Sequence, residues 1–232
     1  MTTGVVVRQA NLADVARIAA VLDAAFDEDP VSRWVFPQHP DRSGWHRGMF
    51  EVFARWSLMT GGAQVTTADT DLPPAAVGSV DAAALWLLAG PEQPGKPPDF
   101  PYEPALEAAL GPAYHRFVQL SDLMDAAHPR HTDHAYLPFL GVLPQWQDHG
   151  LGRALMIHRL ADLDTTGTPA YLEATSLRSV TLYEHLGFVR TKATIRVPGG
   201  PALWPMWRDP TGFPRIDQHQ VHGVRVPASG TG

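Results

Sequence analysis

The segment at residues 147–152 has the residue types of an anion-binding loop. It reads Gln147-Asp148-His149-Gly150-Leu151-Gly152, follows an apolar run at residues 137–142 and opens a helical pattern. Glycine lets the backbone approach a ligand closely, and the first turn of a helix has unpaired N–H groups with partial positive charge. The segment therefore predicts a pyrophosphate site built from amides rather than from lysines. A Gly-x-Gly pattern at a helix start also occurs in tight turns without a function, and that alternative stays open at this point.

The elements that would position this segment alternate between strands and helices. The predicted strands cover residues 4–8, 64–67, 80–88, 135–142, 170–174, 187–197 and 203–207. The predicted helices cover residues 12–26, 42–59, 106–124, 150–163 and 177–186. Residues 91–104 are interpreted as a proline-rich loop, and Pro138 indicates an edge or a local splay in its strand. The alternation favours a mixed α/β sheet.

The composition of the 232-residue chain excludes several functional classes. It has no cysteine, which rules out disulfide scaffolds, thiolate zinc sites and cysteine nucleophiles. With 24 acidic and 18 basic residues, the formal charge of −6 argues against nucleic acid as a partner. The longest apolar run, residues 82–90, is too short to cross a bilayer, and no signal-peptide pattern is present. We therefore expect a cytoplasmic protein without a membrane partner.

Two motifs further along the chain resemble a known enzyme superfamily. The order of Gln-x-x-Gly-x-Gly at residues 147–152 and Leu-Tyr-Glu-x-Leu-Gly-Phe at residues 182–188 resembles the GNAT-type N-acetyltransferases. Ala24-Ala25-Phe26 with Pro30, residues 139–144 and residues 171–176 are similar to the puromycin N-acetyltransferase-like members. The resemblance implies a splayed, mostly antiparallel central sheet flanked by helices, with acetyl-CoA in the gap between the fourth and fifth strands. It predicts one acetyltransferase domain at residues 1–208 and a Gly/Pro-rich tail at residues 209–232.

The resemblance also assigns residues to the binding of acetyl-CoA. The main chain of Leu140, Gly141 and Val142 would bond the pantetheine arm like an added strand. The pyrophosphate would be surrounded by Gln147, His149, Gly150, Leu151, Gly152 and Arg153. The family usually has Arg or Lys where His149 stands, so binding is expected to depend more on amides and on Arg153. Ser176 or Ser179 stands where many members have an asparagine that touches the cofactor.

Tyr183 is the acid that the resemblance implies, since a positioned phenol can protonate the CoA thiolate as it leaves. The alternative is a core tyrosine, because Val180, Tyr183 and Leu186 share one helical face. Glu173 is the first candidate for the base that removes a proton from the acceptor ammonium, directly or through water. Its alternative is an ordinary solvated or hydrogen-bonded carboxylate at a strand end.

The acceptor site is assigned to residues near the end of the first helix and to aromatic side chains. Carboxylates at Glu28 and Asp29 would attract a cationic amine, although both residue types are also typical of a turn that ends a helix. Trp34 and Trp86 are candidates for lining the acceptor cavity, and core packing is their alternative.

Two other constellations are set aside. His128, His131 and His134 are interpreted as loop histidines rather than as a metal site, because Pro129 argues against a regular helix there. No Ser-His-Asp set has the sequence context of a nucleophile elbow.

The function predicted from the sequence is acetyl transfer from acetyl-CoA to a primary amine of a small molecule, a drug or a metabolite. Transfer would be direct, in a ternary complex, by a monomer or homodimer without a metal. The alternatives are acetylation of a protein N-terminus or lysine, and a non-catalytic CoA-binding module.

Overall fold

The computed structural model describes residues 4–37, 39–60, 62–69, 80–91, 100–191 and 193–211. Its strands are β1 (Gly4–Gln9), β2 (Ala63–Asp69), β3 (Ala82–Ala89), β4 (His134–Val142), β5 (Ala170–Ala174), β6 (Val189–Arg190), β7 (Ile195–Arg196) and β8 (Ala202–Arg208). Its helices are α1 (Val15–Phe26), α2 (Pro30–Val35), α3 (Arg42–Met59), α4 (Tyr102–Leu110), α5 (Tyr114–Ala127), α6 (Leu151–Thr166) and α7 (Leu177–Glu184). Most of the predicted tail, from residue 212 onward, lies outside the described residues.

The strands form a mixed sheet whose central order is β1-β2-β3-β4-β5-β8-β6, with β7 paired to β8 off that path. Neighbouring strands run antiparallel, except that β4 and β5 are parallel. Helices cover both faces. The predicted fold class, a mixed α/β fold with a mostly antiparallel central sheet flanked by helices, is confirmed.

β4 and β5 pair over only a short part of their length. Ala135 pairs with Ala170 and Tyr136 with Tyr171, and the register ends there. β4 then continues to Val142 and β5 to Ala174, so the two strands diverge. The divergence begins beside Pro138, which has no N–H to donate to a ladder. The expected splay at this proline is confirmed, and it leaves a gap in the middle of the sheet.

Alternating residues of β3 contribute to two separate hydrophobic clusters. Ala83 and Leu85 pack with α1 and α3 on one face, whereas Ala84 and Trp86 pack with α6 on the other. Residues 82–87 are all buried, so this part of the strand is covered on both faces. Residues at the C-terminal end of β3 therefore contribute to the α1 and α3 side of the sheet, where the gap opens.

The periodicity predicts no helix between residues 27 and 41, where the structure has α2. Asp29 caps this helix, because its Oδ1 accepts the N–H groups of Val31 at 2.9 Å and Ser32 at 3.1 Å. Pro30 occupies the first helical turn, where a missing N–H costs nothing. A helix of six residues is too short to give a periodic signal, so its cap was the readable sign.

Two predicted elements are divided in the structure. The helix predicted at residues 106–124 is α4 and α5, separated at Gly111-Pro112, where Gly111 has a φ of +49°. The positive φ and the missing proline N–H interrupt the helix there. The interpretation of residues 91–104 as loop is wrong at its end, since α4 begins at Tyr102. The strand predicted at residues 187–197 is the two short strands β6 and β7.

Candidate active site

A cavity of about 880 Å³ opens on the α1 and α3 side of the sheet where β4 and β5 diverge. Helices α1 to α5 supply most of its wall, together with the C-terminal end of β3, the middle of β4 and the end of β5. Its polar lining includes Asp29, Ser32, His128, Glu173 and Thr175.

Glu173 lies at the inner end of this cavity, near the C-terminal end of β5. Its side chain is only 2% exposed, and its Oε1 accepts no hydrogen bond of standard geometry among the described residues. Burial raises the pKa of Glu173 to about 7, although the hydroxyls of Tyr171 and Tyr136 beside it favour the charged form. A carboxyl with a pKa near neutrality can take up and release protons at physiological pH.

A pair of histidines lies next to this carboxyl. His128 Nδ1 is 4.0 Å from Glu173 Oε1, and His128 Nε2 is 3.0 Å from His134 Nε2. The other nitrogen of His134, Nδ1, is 3.0 Å from the carbonyl oxygen of Thr132 and must donate to it. His134 Nε2 therefore accepts, His128 Nε2 donates, and His128 Nδ1 directs a lone pair towards Glu173. Burial lowers the pKa of His128 to about 4, so the imidazole is neutral at physiological pH.

Asp29 lines the same cavity as Glu173. Besides capping α2, it accepts a hydrogen bond from Thr175 Oγ1 to its Oδ2 at 2.5 Å, which ties the start of α2 to the end of β5. Burial raises the pKa of Asp29, even though the hydrogen bonds from Thr175, Ser32 and Val31 favour its charged form. The cavity thus contains two carboxyl groups whose pKa values are raised by burial.

The rest of the cavity wall is aromatic and acidic. The aromatic residues are Phe26, Phe36, Phe53, Trp56, Tyr102, Tyr114, Phe117, Tyr136 and Phe139. Acidic side chains outnumber basic ones in the part of the wall that the structure describes. The acidic residues are Asp29, Glu103, Asp122, Asp125 and Glu173, and the basic residue is Arg130. This lining suits a ligand with an apolar body and a positive charge.

The N-terminus of α6 has the geometry that the glycine-containing segment predicts. Gly150 precedes the helix with a φ of +85°, and no side chain caps the first turn. The first intrahelical bond runs from the N–H of Ala154 to the carbonyl of Gly150, so the N–H groups of the preceding turn lack intrahelical partners. Gly152 packs closely on β4, since a β-carbon there would lie 3.3 Å from Val142 Cγ2. The turn is exposed, so an anion from the solvent can reach its N–H groups.

The neighbouring side chains are arranged around the same turn. Gln147, His149, Gly150 and Arg153 are exposed, whereas Leu151 is buried in the cluster beneath α6. Gln147 Nε2 donates to the carbonyl of Val142 at 3.4 Å, and His149 Nδ1 is 2.7 Å from the carbonyl of Gln147. Leu151 therefore contributes its amide and not its side chain to any ligand here.

The end of β4 has a free edge towards the gap. Leu140, Gly141 and Val142 pair with β3 on one side, and their other side faces the gap, where the register with β5 has ended. Backbone groups along such an edge can bond an extended ligand. Gly141 packs against α1, because a β-carbon there would lie 2.7 Å from Leu22 Cδ2.

Helix α7 lies beside the loop that precedes α6. Arg178 Nη2 is 2.6 Å from Asp148 Oδ1, across that loop. Ser176 caps α7 by accepting the N–H of Ser179 at 3.1 Å, and the two hydroxyls are 2.8 Å apart. Both serines thus already have a structural role.

Tyr183 is buried among apolar side chains on the α6 side of the sheet, with its ring 5.8 Å from that of Phe188. Burial raises the pKa of its phenol above the ordinary value, so it stays protonated. Tyr183 and the predicted pyrophosphate site are on the same side of the sheet, whereas Glu173 and the cavity are on the other. The gap between β4 and β5 lies between the two.

Three residues predicted for the acceptor site lie elsewhere. Glu28 is exposed and forms an ion pair with Arg33 outside the cavity wall. Trp34 is half-buried beneath Arg116, whose guanidinium carbon is 5.6 Å from the ring centre. Trp86 is 1% exposed in the cluster beneath α6, because its register position in β3 turns it away from the cavity. The core alternative is the one that the structure has for Trp86.

Sequence reasoning missed several residues of the cavity wall. Ser32, His128 and the aromatic residues of α4 and α5 belong to it, but they come from segments far apart in the chain. The cap at Asp29-Pro30 was the readable signal for α2 and hence for Ser32. His128 and His134 are 3.0 Å apart at Nε2, and the described residues contain no group of three or more metal-type ligands. No described helix has the length and apolar character needed to cross a membrane.

Comparison with protein families identifies the second half of the chain. Residues 101–207, a little under half of the 232-residue chain, match the family model described as an acetyltransferase (GNAT) domain. Its enzyme class is therefore N-acetyltransferase, and the matched residues include Glu173, Tyr183 and the N-terminus of α6.

Solved structures are similar to the acetyltransferase over most of its length. A Corynebacterium glutamicum protein described as histone acetyltransferase HPA2 and related acetyltransferase is 29% identical with a TM-score of 0.65, over 93% of this chain and 100% of that one. A Drosophila melanogaster polyamine N-acetyltransferase is 18% identical with a TM-score of 0.60, over 89% and 100% of the two chains. Arylalkylamine N-acetyltransferase 2 from Aedes aegypti is 13% identical with a TM-score of 0.64, over 89% and 99%. The last two comparisons show a shared fold.

Proposed function

We propose that this protein transfers an acetyl group from acetyl-CoA to the primary amine of a small molecule with a positive charge and an apolar body. The observation that carries the proposal is Glu173, a buried carboxyl with a pKa of about 7 at the inner end of an acidic, aromatic cavity. The resemblance of residues 139–144 and 171–176 to puromycin-type acetyltransferases also supports a small-molecule acceptor.

The residues around the gap fit acetyl-CoA. The unpaired N–H groups in the first turn of α6 suit a pyrophosphate, with His149 and Arg153 beside them. The free edge of residues 140–142 suits the amides of the pantetheine arm. When bound, acetyl-CoA supplies the acetyl group as a thioester.

Glu173 is the proposed base. An amine is protonated at neutral pH and must lose a proton before it can attack a carbonyl group. Glu173 accepts that proton, directly or through water, and its pKa of about 7 leaves a large fraction ionised at physiological pH. Asp29, in the lining of the same cavity, holds the charged amine nearby.

Tyr183 is the proposed acid. Its phenol is kept protonated by burial and supplies a proton to the CoA sulfur as the carbon–sulfur bond breaks. The neutral phenol also suits the apolar surroundings of Phe188 and α6 better than a charged acid would.

The experiment that tests this function is thiol release from acetyl-CoA in the presence of an amine panel. The panel contains arylalkylamines, diamines, a peptide with a free N-terminus and a peptide with an internal lysine. We expect release with the small amines and little with the peptides. Binding of CoA is measured separately by calorimetry.

Each outcome of this experiment decides between functions. Release with the peptides instead of the small amines would favour a protein acetyltransferase. CoA binding without thiol release on any amine would favour a binding module. No association with CoA would overturn the proposal altogether.

A further inference from the structure

Three side chains from three helices form a continuous hydrogen-bonded set at the cavity wall. Asp23 belongs to α1, Ser32 to α2 and His46 to α3. His46 Nδ1 is 2.8 Å from Asp23 Oδ1, and His46 Nε2 is 3.0 Å from Ser32 Oγ. The order carboxylate, imidazole, hydroxyl is that of a Ser-His-Asp triad. Sequence spacing gave no sign of it, because α2 itself was not predicted.

The hydrogen-bond chemistry fixes the proton positions in this set. An ionised Asp23 can only accept, so His46 Nδ1 donates to it. In the neutral form of His46 that a general base requires, the lone pair is then on Nε2, and Ser32 Oγ donates its proton there. Burial alone would raise the pKa of Asp23, but the hydrogen bonds that it accepts from His46 and Arg47, together with the charge of Arg47, lower it. The carboxylate is therefore ionised, as a triad requires.

Packing holds the imidazole in this orientation. His46 is 0% exposed, and the rings of Phe36 and Phe50 contact it edge-on with centroids 5.0 and 4.7 Å away. Ser32 belongs to the cavity wall, whereas His46 and Asp23 do not. Ser32, which is 7% exposed, is thus the member of the set that lines the cavity.

We propose that Ser32 is a nucleophile that accepts an acetyl group and forms an O-acetylserine. His46 Nε2 takes the Ser32 proton while Oγ bonds to the carbonyl carbon of an acetyl ester or thioester. The bond from that carbon to the leaving oxygen or sulfur breaks, and the leaving group departs with the electron pair and the proton from His46. Water then cleaves the serine ester by the same route, releasing acetate and restoring Ser32.

The surroundings of Ser32 predict that this reaction is slow. The N–H groups of Val31 and Ser32 already donate to Asp29, so neither is available to the developing oxyanion. Loss of one such donor costs serine hydrolases about 10²- to 10³-fold in rate. We therefore expect a p-nitrophenyl ester, which has a good leaving group, to acetylate Ser32 faster than water removes the product.

The test uses the full chain with p-nitrophenyl acetate in the absence of CoA. We expect a burst of p-nitrophenolate close to one equivalent, a mass increase of one acetyl group, and localisation to Ser32 by peptide mapping. Hydroxylamine should remove the group, because it cleaves oxygen esters and leaves acetyl-lysine intact. The ester reaction does not depend on the proposed function, so its failure and a failure to bind CoA are separate results.

Variants separate the nucleophile from a merely structural hydrogen bond. Ser32→Ala should abolish the labelling, and Asp23→Asn should slow it by about 10²-fold or more. Ser121→Ala is the matched control, since Ser121 lines the same cavity without a hydrogen bond to histidine among the described residues, and it should keep the burst. His46→Gln removes the base and should also abolish the labelling. If that variant does not fold, Ser32→Cys replaces it, and its thiol should react with iodoacetamide faster than free cysteine.

The proposal is overturned by any one of several results. These are a wild-type chain that gains no hydroxylamine-sensitive acetyl group, a label that maps to another residue, or a Ser32→Ala variant that is labelled as fast as the parent.

Discussion

The two sides of the gap handle charge in opposite ways. At the N-terminus of α6 the polar groups are backbone amides next to exposed side chains, and nothing that titrates is buried there. In the cavity a carboxyl group, Glu173, is removed from water and its pKa rises to about 7. The first region can bind charge without any change of protonation, whereas the second is suited to moving a proton. Secondary structure is enough to make the first, but the second exists only through the packing around it.

The largest effect should come from removing the proton acceptor of the cavity. Glu173→Gln is expected to lower kcat by about 10³-fold, because a general base contributes rate factors of this size. For the parent, kcat/KM should rise as the pH passes about 7, where Glu173 ionises, and the variant should lack that limb. Steady-state kinetics across the pH range measures both. An unchanged pH profile in the variant would exclude Glu173 as the base.

The second-largest effect on kcat should come from Tyr183, the proposed acid on the other side of the sheet. Tyr183→Phe removes the phenol proton and keeps the ring, so we expect kcat to fall by about 10²-fold with CoA affinity unchanged by calorimetry. A variant as fast as the parent would show that the hydroxyl only packs.

A single β-carbon at Gly150 should weaken the binding of acetyl-CoA at the N-terminus of α6. Gly150→Ala places a side chain at a φ of +85°, which costs about 1 kcal/mol and disturbs the first turn of α6. We expect the KM for acetyl-CoA to rise about tenfold. Gly199→Ala is the matched control, because Gly199 has a φ of +64° and neither glycine has an atom within 4 Å of the added carbon. Equal KM changes in both variants would mean that strain alone is being measured.

A smaller effect is expected from Asp29, and its neighbour Glu28 provides the control. Asp29→Asn keeps a good helix cap and removes a charge from the cavity wall, so the KM for the amine should rise about fivefold, roughly 1 kcal/mol. Glu28→Gln removes a charge that lies outside the wall and should leave this KM unchanged. The same change in both would show that the effect is long-range charge and not contact.

A further prediction concerns stability rather than activity. Because the folded-state pKa of Glu173 is about 7 and the unfolded value is near 4.5, its ionisation destabilises the folded chain as the pH rises between these values. Glu173→Gln should therefore raise the melting temperature by a few degrees above pH 7 and not below about pH 4.5. Thermal unfolding at the two pH values checks the sign. A gain of the same size at both would exclude the linkage.

Local rules predicted the elements of the fold well. α3 and β5 have the predicted ends, and β4 and β5 diverge beside Pro138, where a local splay was predicted. These features could be predicted because periodicity, caps and proline act within a few residues. Elements that are short or interrupted were less predictable. α2 has no periodicity to detect, and the break at Gly111-Pro112 was hidden within a longer helical pattern.

The candidate site was predictable to a different degree on each side of the gap. The turn at Gly150 could be inferred because glycine spacing and a helix start are both visible in the chain. Trp86 could not be assigned, since the face on which it lies follows from strand register in the sheet. Ser32 and His46 belong to separate helices, and only their packing brings them within 3.0 Å.

The sequence by itself determined the fold class, the amide-lined turn before α6 and the positions of the carboxyl and phenol groups along the chain. The tertiary structure decided which of these groups are removed from water. Glu28 stays exposed and Glu173 is buried, although both are ordinary glutamates in the sequence. The physical reason is that a hydrogen-bonding turn is a local property, whereas desolvation depends on every element that packs around a group.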